Sequence, residues 1–228
     1  MQTRIAQMET NYHPKRGDAV VSSNCPPLDA MLPEGGFSAG TLVEWLADGP
    51  GTGAVTLAVL AARAAAGNGR GLVVIDRREQ FYPPGALRCG LECDQWVLVR
   101  AATREDQFWA IDQSLRCHGV GAVLAWPRQV DGGCFRRWQL AAEEAGVLGL
   151  LIRPATARKE PSWADVRLLV EPLPMGMETR RRLRLHLLRC RGLTTERTVD
   201  VEIDDETHSV HPASELADST VPRRAARA

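Results

Sequence analysis

Three glycines at alternate positions, Gly49, Gly51 and Gly53, separate an apolar run from an alanine-rich one. A strand, a glycine-rich turn and a helix in that order form the usual seat for nucleotide phosphates, because backbone N–H groups converge on the anion at the helix N-terminus. A hydrolysing phosphate loop also spaces glycine, four residues, glycine, lysine, then serine or threonine. Its lysine reaches the β- and γ-phosphates and its hydroxyl holds Mg²⁺. With Gly53 as the second glycine, Asp48 stands at the first-glycine position, Ala54 at the lysine position and Val55 at the hydroxyl position, with Thr56 following. The loop keeps its glycines and loses its charge. The only lysines, Lys15 and Lys159, lie far from it in sequence. Two readings stay open: a residual anion cradle, or a tight strand-to-helix turn, the plainer of the two.

The remaining chemistry-bearing residues are mostly arginines. Arg180, Arg181, Arg182 and Arg184 alternate in part with Leu183, Leu185 and Leu187, so they can line one face of a strand. Such a face contacts phosphates or an acidic partner, or it is an ordinary solvated face paired with nearby acids. Arg128 and the pair Arg136-Arg137 flank a strand end and a helix, and Arg153, Arg158, Lys159 and Trp163 form a mixture of cations and an aromatic suited to single-stranded nucleic acid. Asp76 ends an apolar strand, where it is either a catalytic carboxylate or a cap and ion-pair partner. No metal site is expected, since the six cysteines contain no C-x-x-C pair and the five histidines are scattered.

The elements that must position these residues come from the hydrophobic pattern. Leu42–Leu46, Leu72–Asp76, Trp96–Arg100, Val120–Trp126 and Gly149–Arg153 read as buried strands, with helices expected over Gly53–Ala66, Thr103–His118 and Phe135–Ala145. On the second helix Thr103 and Asp106 have capping-box spacing, with Phe108, Ile111 and Leu115 on one face and Trp109 beside them. After Arg153 only strands occur: Val166–Val170, Leu183–Leu187 and Val199–Ile203. This order predicts an α/β fold, a mainly parallel sheet with helices on both faces and a C-terminal β extension. The expected organisation is a loose arm over 1–22, a core over 23–204 and a disordered tail over 205–228. An apolar fraction of 44%, a charged fraction of 25% and a formal net charge of zero point to a globular protein without a whole-molecule field for nucleic acid. No stretch reads as a signal peptide or membrane span, so the expected location is the cytoplasm.

Several segments resemble RecA-type recombinases. Gly35-Gly36-Phe37-Ser38-Ala39-Gly40 with Leu42-Val43-Glu44 is similar to their lead-in to the phosphate loop. Ile75-Asp76 with Phe81-Tyr82-Pro83 is similar to their second strand and the segment after it. More specifically, Gly49-Pro50-Gly51-Thr52-Gly53, Ala122-Val123-Leu124-Ala125-Trp126, Arg136-Arg137-Trp138-Gln139-Leu140 and Leu150-Leu151-Ile152-Arg153-Pro154 resemble the ImuA family. These are RecA-like accessory proteins of mutagenic translesion synthesis, also labelled SulA-like. The resemblance spans roughly residues 23 to 203. It implies a RecA-like core, a role in the SOS response and DNA damage tolerance, and a partner resembling an inactive Y-family polymerase (ImuB-like). An error-prone replicative-type polymerase, RecA filaments and weakly held DNA are further partners it suggests. It also implies what is missing. The water-activating glutamate of RecA-like enzymes maps to Arg78, the Walker B strand ends in Leu124-Ala125-Trp126 without a carboxylate, and the glutamine sensor maps to Arg153. Positioning and charge stabilisation supply most of phosphoryl-transfer catalysis, so a non-catalytic protein without a cofactor is expected. Two rival readings are a SulA-like cell-division inhibitor and an ATP-binding RecA-like ATPase with an atypical phosphate loop.

Overall fold

The structure, a computed structural model, describes residues 19–67, 69–174, 180–193 and 196–213. A small antiparallel pair comes first, β1 (Val20–Val21) with β2 (Phe37–Ser38), around the short helix α1 (Pro26–Asp29). The rest alternates: β3 (Leu42–Ala47), α2 (Ala54–Ala65), β4 (Gly71–Asp76), α3 (Pro83–Arg88), β5 (Trp96–Arg100), α4 (Arg104–Leu115), β6 (Val120–Ala125), α5 (Gly132–Ala145) and β7 (Leu148–Pro154). A 3-10 turn (Ala155–Lys159) leads to β8 (Val166–Pro172), β9 (Arg181–Cys190), β10 (Arg197–Ile203) and β11 (Val210–Pro212).

One sheet of nine strands, in the order β11-β10-β9-β8-β3-β7-β6-β4-β5, unites them. From β5 to β8 neighbouring strands are parallel, and from β8 outward they are antiparallel. The fold is therefore the expected α/β architecture with a β extension. Period-two alternation explains the layers. Leu72 and Val74 pack with α2 and α3 on one face, while Val73 and Ile75 pack with α4 and α5 on the other. The capping box at α4 forms as its spacing predicts: Thr103 accepts from the Asp106 amide and Asp106 accepts from the Thr103 amide.

Three expectations need correction. Trp109 does not join the apolar face of α4 but is 67% exposed, because it points away from the sheet at its place in the helical turn. The strand Val210–Pro212 lies inside the segment expected as a tail, where backbone pairing with β10 orders a sequence too short and polar to announce itself. Val20–Val21 likewise pairs within the expected arm. The remainder of both terminal segments, 1–18 and 214–228, lies outside the described residues.

The strand β6 carries an irregularity that binds it to α2. Gly71 pairs with Val120 and Leu72 with Ala122, leaving Gly121 as the extra residue of a bulge. A Cβ at Gly121 would stand 2.1 Å from the Ala65 carbonyl oxygen at the end of α2. Gly121→Ala should therefore destabilise the fold by roughly 1–3 kcal/mol through overpacking against backbone, read as a lower denaturant midpoint with an unchanged slope.

Candidate functional site

The glycine-rich turn lies at the carboxyl end of β3. Gly49, Gly51 and Gly53 all have positive φ (94°, 81° and 85°), which glycine adopts without a Cβ penalty. Thr52 donates its hydroxyl to the Gly49 carbonyl at 3.3 Å, closing the turn, and Gly53 caps α2. Asp48 is exposed. Ala54, at the lysine position, is 1% exposed and packs in the core, while Val55 and Thr56 are half-buried. The β extension reaches this turn: a Cβ at Gly53 would come within 2.4 Å of Leu183 Cδ1 on β9. A cleft of about 520 Å³ beside the turn is walled by Val55, Val59, Phe81, Tyr82 and Ala86. The two arginines at its rim are engaged by one loop, Arg181 with the Asp205 carboxylate at 2.6 Å and Arg88 with the Asp205 carbonyl at 3.1 Å.

A second cleft, of about 380 Å³, opens where β4, β6 and β7 end. Ligands of parallel α/β sheets bind at this edge, beyond the carboxyl ends of the strands. Arg77 and Arg78 follow β4, Arg128 follows β6, and Arg104 opens α4, with all four lining the cleft. Arg104 lies 4.8 Å over the Phe108 ring and donates to the Gln129 carbonyl at 3.0 Å. Among the described residues, none of the four is paired with a carboxylate. Gln107, 5% exposed, forms part of the floor and donates to the Trp126 carbonyl at 3.4 Å. Trp126 itself is buried against Phe81, a core residue rather than a stacking platform.

Two buried carboxylates shape the surroundings of this cleft. Asp76, with no exposure, accepts from the Arg78 amide at 3.0 Å, the Phe81 amide at 2.8 Å and Arg100 Nη1 at 2.8 Å. It is thus a cap and ion-pair partner that fixes the turn carrying Arg77 and Arg78. Glu44, also fully buried, meets Arg153 through Oε1 and Arg167 Nε at 2.6 Å through Oε2, which also accepts from Ser162 at 2.7 Å. Arg153 continues to Glu160 and to the Arg128 carbonyl at 3.1 Å.

The structure sorts the arginines expected at a binding surface. Arg128 lies in the second cleft. Arg153 corrects the expectation of a nucleic-acid contact: its side chain is 1% exposed and committed to Glu44 and Glu160. Arg158 and Lys159 are exposed on the 3-10 turn. Arg136 bonds Gln139 and lies 4.9 Å over Trp163, and Arg137 bonds Asp112 at 3.0 Å. The β9 arginines and the preceding Arg180 take the plainer of the two readings, facing acids across the strand pair. Arg184 meets Asp200 at 2.7 Å, Arg182 meets Glu202 at 3.3 Å, Arg181 meets Asp205, and Arg180 lies 3.9 Å from Glu202. The hydrogen bond from Arg184 outweighs the opposing effect of burial and holds the Asp200 carboxyl below its usual range. This face is neutralised. Arg77 and Arg104 were missed by the sequence reading; the signal was their place just after a strand end and at a helix start. Among the described residues no group of three or more His, Cys, Asp or Glu could hold a metal, and no helix is long and apolar enough to cross a membrane. All six cysteines are free, and burial pushes the Cys25 thiol up to about 12.

The fold is RecA-like, an α/β architecture built on a large, mostly parallel sheet. The crystal structure of the RadB recombinase superposes with a TM-score of 0.65 at 13% identity, covering 85% of this chain and 100% of RadB. No protein-family model matches the chain. Protein ImuA of Caulobacter vibrioides, in strain NA1000 / CB15N and in strain ATCC 19089 / CIP 103742 / CB 15, is 28% identical over 225 residues, covering 89% of this chain and 92% of the relative. The similarity to ImuA thus extends over most of both chains.

Removing one member of a buried ion cluster leaves charge without a partner. Glu44→Gln should cost about 3–5 kcal/mol on that basis, measured by chemical denaturation, whereas Asp200→Asn on the solvated ladder should cost far less.

Proposed function

We propose that this protein is a non-catalytic RecA-like accessory factor in DNA damage tolerance, acting in the cytoplasm as a scaffold for a polymerase-like partner during translesion synthesis. Kinship with ImuA supports the biological setting. The observation that carries the non-catalytic reading is the phosphate loop itself. Ala54 at the lysine position is turned into the core, and Leu183 of the β extension stands against Gly53. With no lysine to meet β- and γ-phosphates and no hydroxyl at Val55 for Mg²⁺, the loop lacks the charges that phosphoryl transfer requires. Arg78 and Arg128 line the space beyond the ends of β4 and β6, where acids would serve a metal-dependent hydrolase. The rigid sheet with its charged, antiparallel extension then serves as a platform whose ligands are other macromolecules. An inactive Y-family polymerase-like protein is the partner proposed, with RecA and an error-prone replicative-type polymerase as further members of the assembly.

Two measurements test the reading. Titration with ATP in the presence and absence of Mg²⁺ should give no hydrolysis above the protein-free rate, and turnover dependent on Mg²⁺ would overturn it. Affinity purification from cells exposed to a DNA-damaging agent should retain a polymerase-like chain. Retention of a tubulin-like division protein in its place would favour division inhibition.

A further inference from the structure

A third hollow, of about 310 Å³, lies at the opposite end of the sheet from the glycine turn, where β3 and β8 begin and β9 ends. We propose that this groove is the docking site of the chain's own N-terminal segment, residues 1–18, with Lys15 and Arg16 seated against its carboxylates. The floor is apolar, made of the buried side chains of Leu32, Phe37, Val166 and Cys190. The walls are acidic. Glu34 comes from the turn before β2, Glu143 from α5 and Asp165 from the residue before β8, and Arg191 is the one cation among the described residues that line the groove. It is held loosely, 3.6 Å from Asp165 and 3.9 Å from Glu143, with its side chain 71% exposed. Three carboxylates against one guanidinium leave the groove negative on a chain of zero formal net charge. Burial pushes the Asp165 carboxyl up, against the opposing pull of the Leu42 amide, which donates to it at 3.0 Å. A further cation beside these groups offsets the cost of their charge.

Chain continuity selects the occupant. The Ala39 amide donates to the Ala19 carbonyl at 2.9 Å, β1 pairs with β2, and Phe37, Ser38 and Ala39 line the groove. Residues 1–18 therefore join the described chain at the groove's rim. Lys15 and Arg16 stand four and three residues upstream of Ala19. An extended chain rises about 3.3 Å per residue, so their backbone falls within about 13 Å and 10 Å of Ala19 before side-chain length is counted. Tethering at this range gives the basic pair a high effective concentration at the acids. The arginines of the C-terminal segment instead follow β11, the edge strand three strands from β8. The groove is separate from the carboxyl edge of the parallel strands, and the proposal does not rest on the polymerase-like partner.

The test uses the full chain and its two lysines. A zero-length carbodiimide joins an amine to a carboxylate in direct contact. Peptide mass spectrometry should find Lys15 linked to Glu34, Glu143 or Asp165, and a mixture of isotope-labelled and unlabelled protein should place the link within one chain. The second arm follows tryptic cleavage after Lys15 and Arg16 in the native protein, in the double variant E34Q/E143Q and in the control E105Q, which lies on α4 outside the groove. Glu34, Glu143 and Glu105 are all exposed, so circular dichroism should be unchanged. Loss of the ion pairs should speed cleavage after Lys15 and Arg16 about fivefold, because proteolysis follows the undocked population, with E105Q behaving as the native protein. The proposal is overturned if Lys15 links to none of the three acids, if the link joins two chains, or if E34Q/E143Q is cleaved at the native rate. Faster cleavage of the double variant after Arg223 and Arg224 in place of Lys15 and Arg16 would also overturn it, by assigning the groove to the C-terminal segment.

Discussion

A single carboxylate at the centre of the sheet carries the heaviest constraint in this molecule. Glu44 has no solvent exposure, and its charge is compensated by Arg153 on β7 and Arg167 on β8, the strands on either side of it. An isolated ion in such surroundings is prohibitively costly, whereas a paired and hydrogen-bonded one is tolerated. The cluster therefore enforces register. Glu44 alternates with Val43 and Trp45, which pack into the apolar layer under α2. A slip by one residue would drive the carboxylate into that layer and bring Val43 or Trp45 to the arginines. Through Arg153 the same cluster holds the Arg128 carbonyl and Glu160, so the order of the sheet's centre extends to the wall of the arginine cleft.

Local charge, not net charge, distinguishes the surfaces. The β9–β10 face sets arginine opposite acid in register, Arg182 with Glu202 and Arg184 with Asp200. Directly opposed charges stabilise a strand pair and leave little field outside it. The cleft beyond β4, β6 and β7 does the reverse. It collects cations from separate elements at the edge where parallel sheets present their ligands.

The β extension has a second consequence at the glycine turn. Because β9 continues the sheet antiparallel to β8, its inward leucines fall under the same layer as α2, and Leu183 meets Gly53. The turn thus has a packing reason for its third glycine, quite apart from any phosphate. A larger residue would collide with Leu183 and would also be held at a backbone angle that L side chains rarely adopt.

The sequence by itself determined the elements and their layers. Continuous apolar runs specify strands buried on both faces, Thr103 with Asp106 starts α4, and the glycines at 49, 51 and 53 specify a strand-to-helix turn, because each of these signals is local in the chain. It also places Ala54 and Val55 directly after the last of these glycines, with no lysine in or beside the turn. What only the tertiary structure decided was which cations are free. Arg153 and Arg128 look alike in sequence, yet one is neutralised by Glu44, 109 residues away, and the other lines a cleft with Arg77, Arg78 and Arg104. The strand Val210–Pro212 and the exposure of Trp109 were hidden for the same reason. Pairing and burial depend on neighbours distant in sequence, and no spacing rule along the chain contains them.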